Sequence, residues 1–144
     1  PAFRRTIMIR FILAYLGAGV TFAAIDVVWL TTMTDRFYKP LLGPMLAAEP
    51  DLRAAVIFYL VSIFGTVFLA VLPGLRAGSW RRATLNGAVL GFVAYATYDL
   101  TNQATLAQWS TQLTIVDLCW GTVLTAASAT GGYFLARLAR PAKA

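Results

Sequence analysis

Four long apolar stretches divide this chain, and each is close to the length of a helix that crosses a lipid bilayer. They cover approximately residues 11–33, 54–72, 83–102 and 113–136. A hydrocarbon core of about 30 Å needs about 20 apolar residues in a helix. Lipid offers no partner for free backbone N–H and C=O groups, so helices are the expected form. We therefore predict one all-α domain over residues 1–144, an integral membrane four-helix bundle.

The composition excludes most other classes of protein. The chain is 59% hydrophobic and 12% charged, whereas a soluble domain has about a quarter of its residues charged. There is no histidine, and Cys119 is the single cysteine. The common haem, zinc and copper sites, histidine-based triads and internal disulfides are thereby excluded, and no metal site is predicted. The net charge of +6 comes from small basic groups between the apolar stretches, so no nucleic acid partner is expected.

The distribution of Lys and Arg predicts the orientation of the bundle in the membrane. One side of the predicted topology carries nine basic residues: Arg4, Arg5, Arg10, Arg76, Arg81, Arg82, Arg137, Arg140 and Lys143. The other side carries three, Arg36, Lys39 and Arg53. Because basic residues concentrate in cytoplasmic loops, both termini are predicted to face the cytoplasm. Aromatic belts are predicted near both boundaries, with Trp80 at the inner one and Trp29, Phe37, Tyr38 and Trp109 at the outer one.

Local signals mark the ends of the spans. Asp51 is predicted to cap the second helix, Pro73 and Gly74 to end it, and Pro141 to follow the last helix. The connection from Thr34 to Asp51 is too apolar for a free linker. Two structures remain open for it, a turn with a short interfacial helix or a plain packed loop. The first span exceeds the usual apolar region of a signal peptide and is predicted to be a retained helix.

Three aspartates lie inside the predicted spans: Asp26, Asp99 and Asp117. An aspartate at the centre of a membrane helix costs about 2.5–3.5 kcal/mol on insertion scales, so three indicate a function or a structural need. At 1.5 Å per residue, Asp26 and Asp99 lie about 25 Å along their helices from the basic side, and Asp117 about 7 Å from the opposite edge. Three helices are therefore predicted to bring one carboxyl group each to the same layer, in the outer half of the membrane.

The residues around these aspartates predict inward-facing helix surfaces. Tyr95, Tyr98 and Asn102 lie near Asp99 on its helix. Together with the three aspartates they form the candidate site for a ligand, a proton or a cation. Small residues let helices approach closely, and Gly87, Gly91 and Gly121 are predicted packing positions. Asp26-x-x-Trp29 and Asp117-x-x-Trp120 resemble a short internal repeat, although two matching residues are weak evidence for an inverted repeat of the transporter kind.

Two chemical states and three roles are open to the three aspartates. Some could be neutral acids that donate hydrogen bonds, or a cation could neutralise them, either a bound metal ion or Arg36 or Arg53 reaching down. The cluster could be a polar clasp between helices, a proton or cation site, or a catalytic pair. The sequence favours the clasp over the other two.

Several stretches of the chain resemble a known family. The stretch Ala24-Ile25-Asp26-Val27-Val28-Trp29-Leu30, the pair Phe37-Tyr38 with Leu42-Gly43-Pro44, the stretch Tyr95–Asn102 and the motif Asp117-x-x-Trp120-Gly121 resemble a family of predicted small bacterial membrane proteins of unknown function. The resemblance covers nearly the whole chain, and Thr97-Tyr98-Asp99-Leu100-Thr101-Asn102 is its most specific part. It implies a four-helix protein of the bacterial inner membrane and supplies no substrate, cofactor or reaction.

Three functions are compatible with these observations. The leading prediction is a non-enzymatic, membrane-embedded binding protein or accessory subunit, with membrane lipid and a larger complex or a homo-oligomer as its candidate partners. The first alternative is a small transporter in which the aspartates hold a proton or a cation. The second is a membrane enzyme acting on lipid or quinone with an aspartate as acid or base, and it ranks last because no nucleophile or cofactor motif accompanies it.

Overall fold

The computed structural model describes residues 2–139, with side chains from residue 5 onward. Within this range the chain forms four long helical segments and no strand. The fold class is therefore the predicted one, an all-α bundle. The predicted orientation rests partly on the side chains of Arg4, Arg140 and Lys143, and Pro141 was expected to follow the last helix; all four lie outside the described side chains.

The first segment is longer than predicted. Helix α1 (Ala2–Met33) continues through a π-helical turn (Thr34–Tyr38) into the short helix α2 (Lys39–Leu42). Gly43 ends this run with a φ of 50°, a backbone conformation that glycine adopts at no steric cost. A short 3₁₀ turn (Gly43–Met45) follows. The connection Thr34–Asp51, for which a turn with a short interfacial helix and a plain packed loop were both open, is thus helical for its first nine residues.

The second segment consists of α3 (Leu52–Thr66), a second π-helical turn (Val67–Val71) and α4 (Leu72–Arg76). Asp51 caps α3 as predicted, since its carboxylate accepts from the backbone N–H groups of Arg53 and Ala54 at 2.9 and 3.2 Å. These bonds satisfy donors that the first turn of a helix leaves free.

The prediction that Pro73 and Gly74 end this segment is wrong. Proline lacks the N–H that would bond the carbonyl four residues earlier, here the carbonyl of Leu69. The side-chain amide of Asn86, on the next helix, donates to that oxygen at 3.2 Å. Gly74 packs so closely on Ala83 that a Cβ atom would come within 2.6 Å of the Ala83 Cβ. The helix therefore continues to Arg76, supported from a neighbouring helix.

The last two segments are regular α-helices with serine caps. Helix α5 (Trp80–Thr105) begins after Ser79, and α6 (Thr111–Arg137) begins after Ser110. Each serine hydroxyl accepts from a backbone N–H of the first turn. Gly78, with a φ of 63°, makes the tight turn between α4 and α5 possible.

Helix α6 is the centre of the bundle and packs against both α5 and α1. Small residues permit this close approach. A Cβ on Gly17 would lie 2.8 Å from the Gly131 carbonyl oxygen, and one on Gly87 would lie 2.7 Å from the Thr125 carbonyl oxygen. Hydrogen bonds join the helices as well, since Ser128 of α6 donates to the carbonyl of Ala18 at 2.9 Å.

Three of the four segments are long and apolar enough to cross a membrane: Arg5–Met45, Leu52–Arg76 and Thr111–Arg137. Helix α5 is not among them within the described residues, and its crossing remains a prediction. Within residues 83–102, Asn86, Asp99 and Asn102 lower its hydropathy most. The hydroxyls of its threonines at positions 97, 101 and 105 each donate to a carbonyl of their own helix. Such internal bonds hide the hydroxyl groups from the surroundings.

Candidate functional site

Asp26 is buried on α1 and joins three helices. Tyr59 of α3 donates its hydroxyl to Oδ2 of Asp26 at 2.5 Å, and Trp120 of α6 donates Nε1 to Oδ1 at 3.3 Å. Asp26 retains only 6% of its accessible surface. A buried carboxylate needs donors of this kind, because leaving it without them costs the desolvation of a charge. Asp26 is thus a fully bonded polar contact between α1, α3 and α6.

Asp117 of α6 is bonded to the end of the first segment. The Tyr38 hydroxyl donates to Oδ1 of Asp117 at 2.6 Å, and the same oxygen of Tyr38 accepts from Trp29 Nε1 at 2.9 Å. Nine residues separate Trp29 from Tyr38, about two and a half turns of a regular α-helix, which would place them on opposite faces. The wider π-helical turn at Thr34–Tyr38 changes this register. It allows both side chains to reach the same site.

The two Asp-x-x-Trp motifs are paired across α1 and α6. The rings of Trp29 and Trp120 stack with their centroids 4.1 Å apart and their planes within 7°. Trp120 bonds the Asp26 of the other motif directly, and Trp29 bonds the Asp117 of the other motif through Tyr38. The short repeat in the sequence is therefore a reciprocal contact in which each tryptophan serves the other helix's aspartate.

Asp99 of α5 differs from the other two aspartates. It is completely buried, and neither of its oxygens has a hydrogen-bond partner among the described residues. Asp117 lies within electrostatic reach of it. A fully buried, unpartnered carboxyl group in a protein interior is rare and calls for an explanation, such as a ligand, an ion or a proton.

The other predicted site residues surround this group. Tyr95 is half-buried on α5, within electrostatic reach of all three aspartates. Its ring lies over Gly121, where a Cβ would overlap it. Tyr98 is 59% exposed and meets the Trp109 ring edge to face, and Asn102 lies beside Tyr98. The backbones of α5 and α6 are in close contact at the predicted packing glycines, because a Cβ on Gly91 would overlap the carbonyl oxygen of Gly121.

A cavity of about 540 Å³ reaches this site from the side of the bundle. It lies between α3 and α5, which make almost no direct contact with each other, whereas the π-helical turn Val67–Val71 and α4 pack firmly on α5. The two helices are thus joined at one end and apart at the other. The floor is formed by buried residues of four segments: Phe22, Thr66, Gly91, Asp117 and Thr125.

The cavity is mainly apolar and has an exposed rim. Phe58 and Val61 of α3 and Ala94 and Tyr98 of α5 line it and are exposed on the side of the bundle. Polar groups lie at a few positions only, with Asp117, Tyr95 and Ser62 among them. An apolar pocket of about 300–1,000 Å³ with a few convergent polar groups is typical of small-molecule sites.

Within the part of the chain that the structure describes, no cationic side chain pairs with the three aspartates. Among the described residues the recorded ion pair joins Lys39 to Asp35, so neither Arg36 nor Arg53 neutralises the cluster as one alternative required. The described residues also contain no group of three or more acidic or sulfur ligands arranged to hold a metal ion. The tyrosine and tryptophan donors stabilise Asp26 and Asp117, but they carry no positive charge. The site remains acidic.

Sequence reasoning missed four contributors to this site. Trp29 and Tyr38 were predicted to form an outer aromatic belt, yet both turn inward and belong to the hydrogen-bond network. Trp120 was noted for its motif alone, and Tyr59 was not singled out at all. The only advance signal for the tryptophans was their identical spacing from an aspartate, while nothing in the sequence links Tyr59 to Asp26.

Comparison with known proteins places this chain in a family. Searches of the curated proteins and of the solved structures found no match. The model of one family, described as "Predicted membrane protein (DUF2177)", matches residues 11–134. This range includes all three buried aspartates, both tryptophans of the stack and every residue that lines the cavity. The chain belongs to the DUF2177 family of predicted membrane proteins.

Proposed function

We propose that this protein is a non-enzymatic, membrane-embedded binding protein that takes a single-chain amphiphile from the bilayer into the cavity between α3 and α5. The observation that carries the proposal is the cavity itself, which has an apolar wall, an exposed lateral rim and the Asp117 carboxyl group in its floor. An apolar chain fits the wall, and one polar group fits the floor. The location that we propose for the protein is a bacterial inner membrane.

The shape of the bundle supports lateral entry. The rim residues Phe58, Val61 and Ala94 lie near the middle of their helices and not at a loop. A molecule dissolved in the bilayer would reach them without passing through water. The most extensive contacts of the bundle are those of α6 with α5 and with α1, so α3 is the less closely packed wall of the cavity.

Photo-crosslinking tests this proposal. A long-chain alcohol with a photoreactive diazirine near its hydroxyl end would be added to the protein in vesicles, irradiated and mapped by peptide mass spectrometry. We expect adducts on α3 and α5 residues that line the cavity. The variant Ala94→Trp places a large side chain at the rim. It should reduce this labelling several-fold, because it would block entry to a preformed pocket.

The neighbouring variant Val93→Trp is the matched control. Val93 lies on the same helix, is 53% exposed and does not line the cavity. It should leave the labelling unchanged. Adducts spread evenly over all exposed faces, or equal labelling in the two tryptophan variants, would contradict the proposal.

A proton- or cation-linked carrier is a second candidate, favoured by one observation. Asp99 is fully buried and has no hydrogen-bond partner among the described residues, which suits a group that gains and loses a proton or cation during transport. Four helices are few for a carrier, so this candidate requires a homo-oligomer. Native mass spectrometry from the membrane would test it, since a strictly monomeric protein would contradict it. The accessory-subunit alternative instead requires co-purification with other chains in that experiment.

A further inference from the structure

We infer that the amphiphile bound in this cavity carries a positively charged amine at its polar end, and that Asp117 and Asp99 select it. This inference rests on the proposed function and adds the chemical class of the ligand. It is argued from the charges at the end of the cavity, from the donors each aspartate has and from the aromatic wall.

The first step is the balance of charge. Three carboxyl groups lie within electrostatic reach of Tyr95. No described residue that lines the cavity is basic, and no ion pair to these carboxyl groups is recorded within the described part of the chain. A buried charge needs a partner, so an ionised Asp117 or Asp99 would need a cation, which the described residues do not supply.

The second step distinguishes the three aspartates. Asp26 already has a donor on each oxygen, from Tyr59 and from Trp120. Asp117 has one donor, Tyr38, on Oδ1, and it lines the cavity. Asp99 does not line the cavity; it is fully buried, lies within electrostatic reach of Asp117 and has no donor among the described residues. A ligand's polar group would therefore contact Asp117 directly, and the charge of Asp99 would act on it from close by.

The third step is the aromatic wall. Phe22, Phe58, Tyr95 and Tyr98 line the cavity, and the rings of Phe22 and Phe58 meet at an angle of 62° with centroids 6.2 Å apart. Ring faces attract ammonium groups. An alkylammonium ion in the cavity would have the Asp117 carboxyl group as an acceptor for its N–H groups, the charge of Asp99 within electrostatic reach of that group, and aromatic rings in the cavity wall. A fatty acid would meet repulsion there.

Competition between matched ligands tests the inference. The photoreactive alcohol is the probe, and dodecylamine, dodecanol and dodecanoate are the competitors, since they share a chain and differ only in the polar end. We expect the amine to compete at about tenfold lower concentration than the alcohol, the order expected for a charge-assisted contact. Dodecanoate should compete least.

Two variants locate the selectivity. Asp117→Asn keeps the shape of the side chain and an acceptor for Tyr38, and Asp99→Asn leaves every recorded hydrogen bond intact. Each should reduce the advantage of the amine over the alcohol as a competitor several-fold, and the helical circular dichroism and melting temperature of each variant check that it is folded. Asp35→Asn is the control, because Asp35 is an exposed acid paired with Lys39 outside the cavity, and it should change nothing.

The outcomes separate this inference from the proposed function. Equal competition by amine and alcohol would overturn the inference, because it would mean that the aspartates are neutral and do not bind a cation. Labelling of the cavity by the alcohol would still support the proposed function in that case. Absence of cavity labelling by any probe would overturn both. Competition by lysophosphatidylethanolamine as well as dodecylamine would support the inference with a phospholipid headgroup as the source of the amine. A preference confined to dodecylamine would support it with a simple amine as the source.

Discussion

Trp29 and Trp120 stack face to face where α1 and α6 cross, with ring centroids 4.1 Å apart. Each ring also donates its N–H into the network that serves the other helix's aspartate. The stack and the hydrogen bonds use the same two indole rings, so each restrains the position of the other. The polar site and the packing of α1 on α6 are therefore one unit.

Tyr38→Phe should destabilise the protein. It removes the hydroxyl that donates to Asp117 and accepts from Trp29. Leaving a buried donor or acceptor without its hydrogen-bond partner costs about 1–3 kcal/mol. The free energy of unfolding in mixed micelles measures the effect. Tyr133→Phe is the control: Tyr133 is 1% exposed, and its hydroxyl has no recorded hydrogen bond within the described residues. Equal losses in the two variants would mean that the Tyr38 contacts contribute nothing particular.

Asp26→Ala and Asp99→Ala should differ in their consequences for stability. Asp26→Ala leaves the donors of Tyr59 and Trp120 without an acceptor, which costs about 1–3 kcal/mol of stability for each group. The second removes a buried carboxyl group that no described donor satisfies, so unfolding free energy should stay unchanged or rise. Thermal melting in the same detergent compares the two variants. A large loss in Asp99→Ala would indicate a structural clasp at that position.

Asn86→Ala should cost about 1 kcal/mol, because it leaves the Leu69 carbonyl without the donor that replaces the missing N–H of Pro73. The same change in a Pro73→Ala background should cost less, since alanine restores a backbone N–H to that oxygen. A double-mutant cycle on unfolding free energies measures the difference. Additive effects would show that Asn86 and Pro73 do not act on the same carbonyl.

Gly91→Ala should separate α5 from α6. The added Cβ would overlap the carbonyl oxygen of Gly121, and forcing extra carbon into a packed contact costs about 1–3 kcal/mol. Gly65→Ala serves as the control, because a Cβ there has nothing within 4 Å. Thermal stability in detergent should fall in the first variant alone. Similar melting of both variants would argue that this close approach is easily relaxed.

The features that depend on one helix at a time could be predicted from the sequence. Long apolar runs gave the helical segments, the cap at Asp51 was recognised from its position, and counting residues along each helix brought Asp26, Asp99 and Asp117 to one layer. These predictions need only the rise of a helix and the length of an apolar run.

The features that depend on a second helix could not be predicted. Tyr38 reaches Asp117 because a π-helical turn changes the register, and no sequence signal marked that turn. Pro73 does not end its helix because Asn86 supplies a donor from α5. The cavity exists because α3 diverges from α5 above the point where α4 packs. Each is a tertiary effect that overrides a local rule.

Because the cavity opens on the side of the bundle, the fraction of protein with a bound ligand depends on the composition of the surrounding membrane. The competing molecules are the neighbouring lipids themselves, which are present at far higher abundance than any guest. Saturation would then follow the mole fraction of the guest in the bilayer rather than its aqueous concentration. Diluting the sample at constant lipid composition would leave the bound fraction unchanged, and enriching the membrane in the guest would raise it.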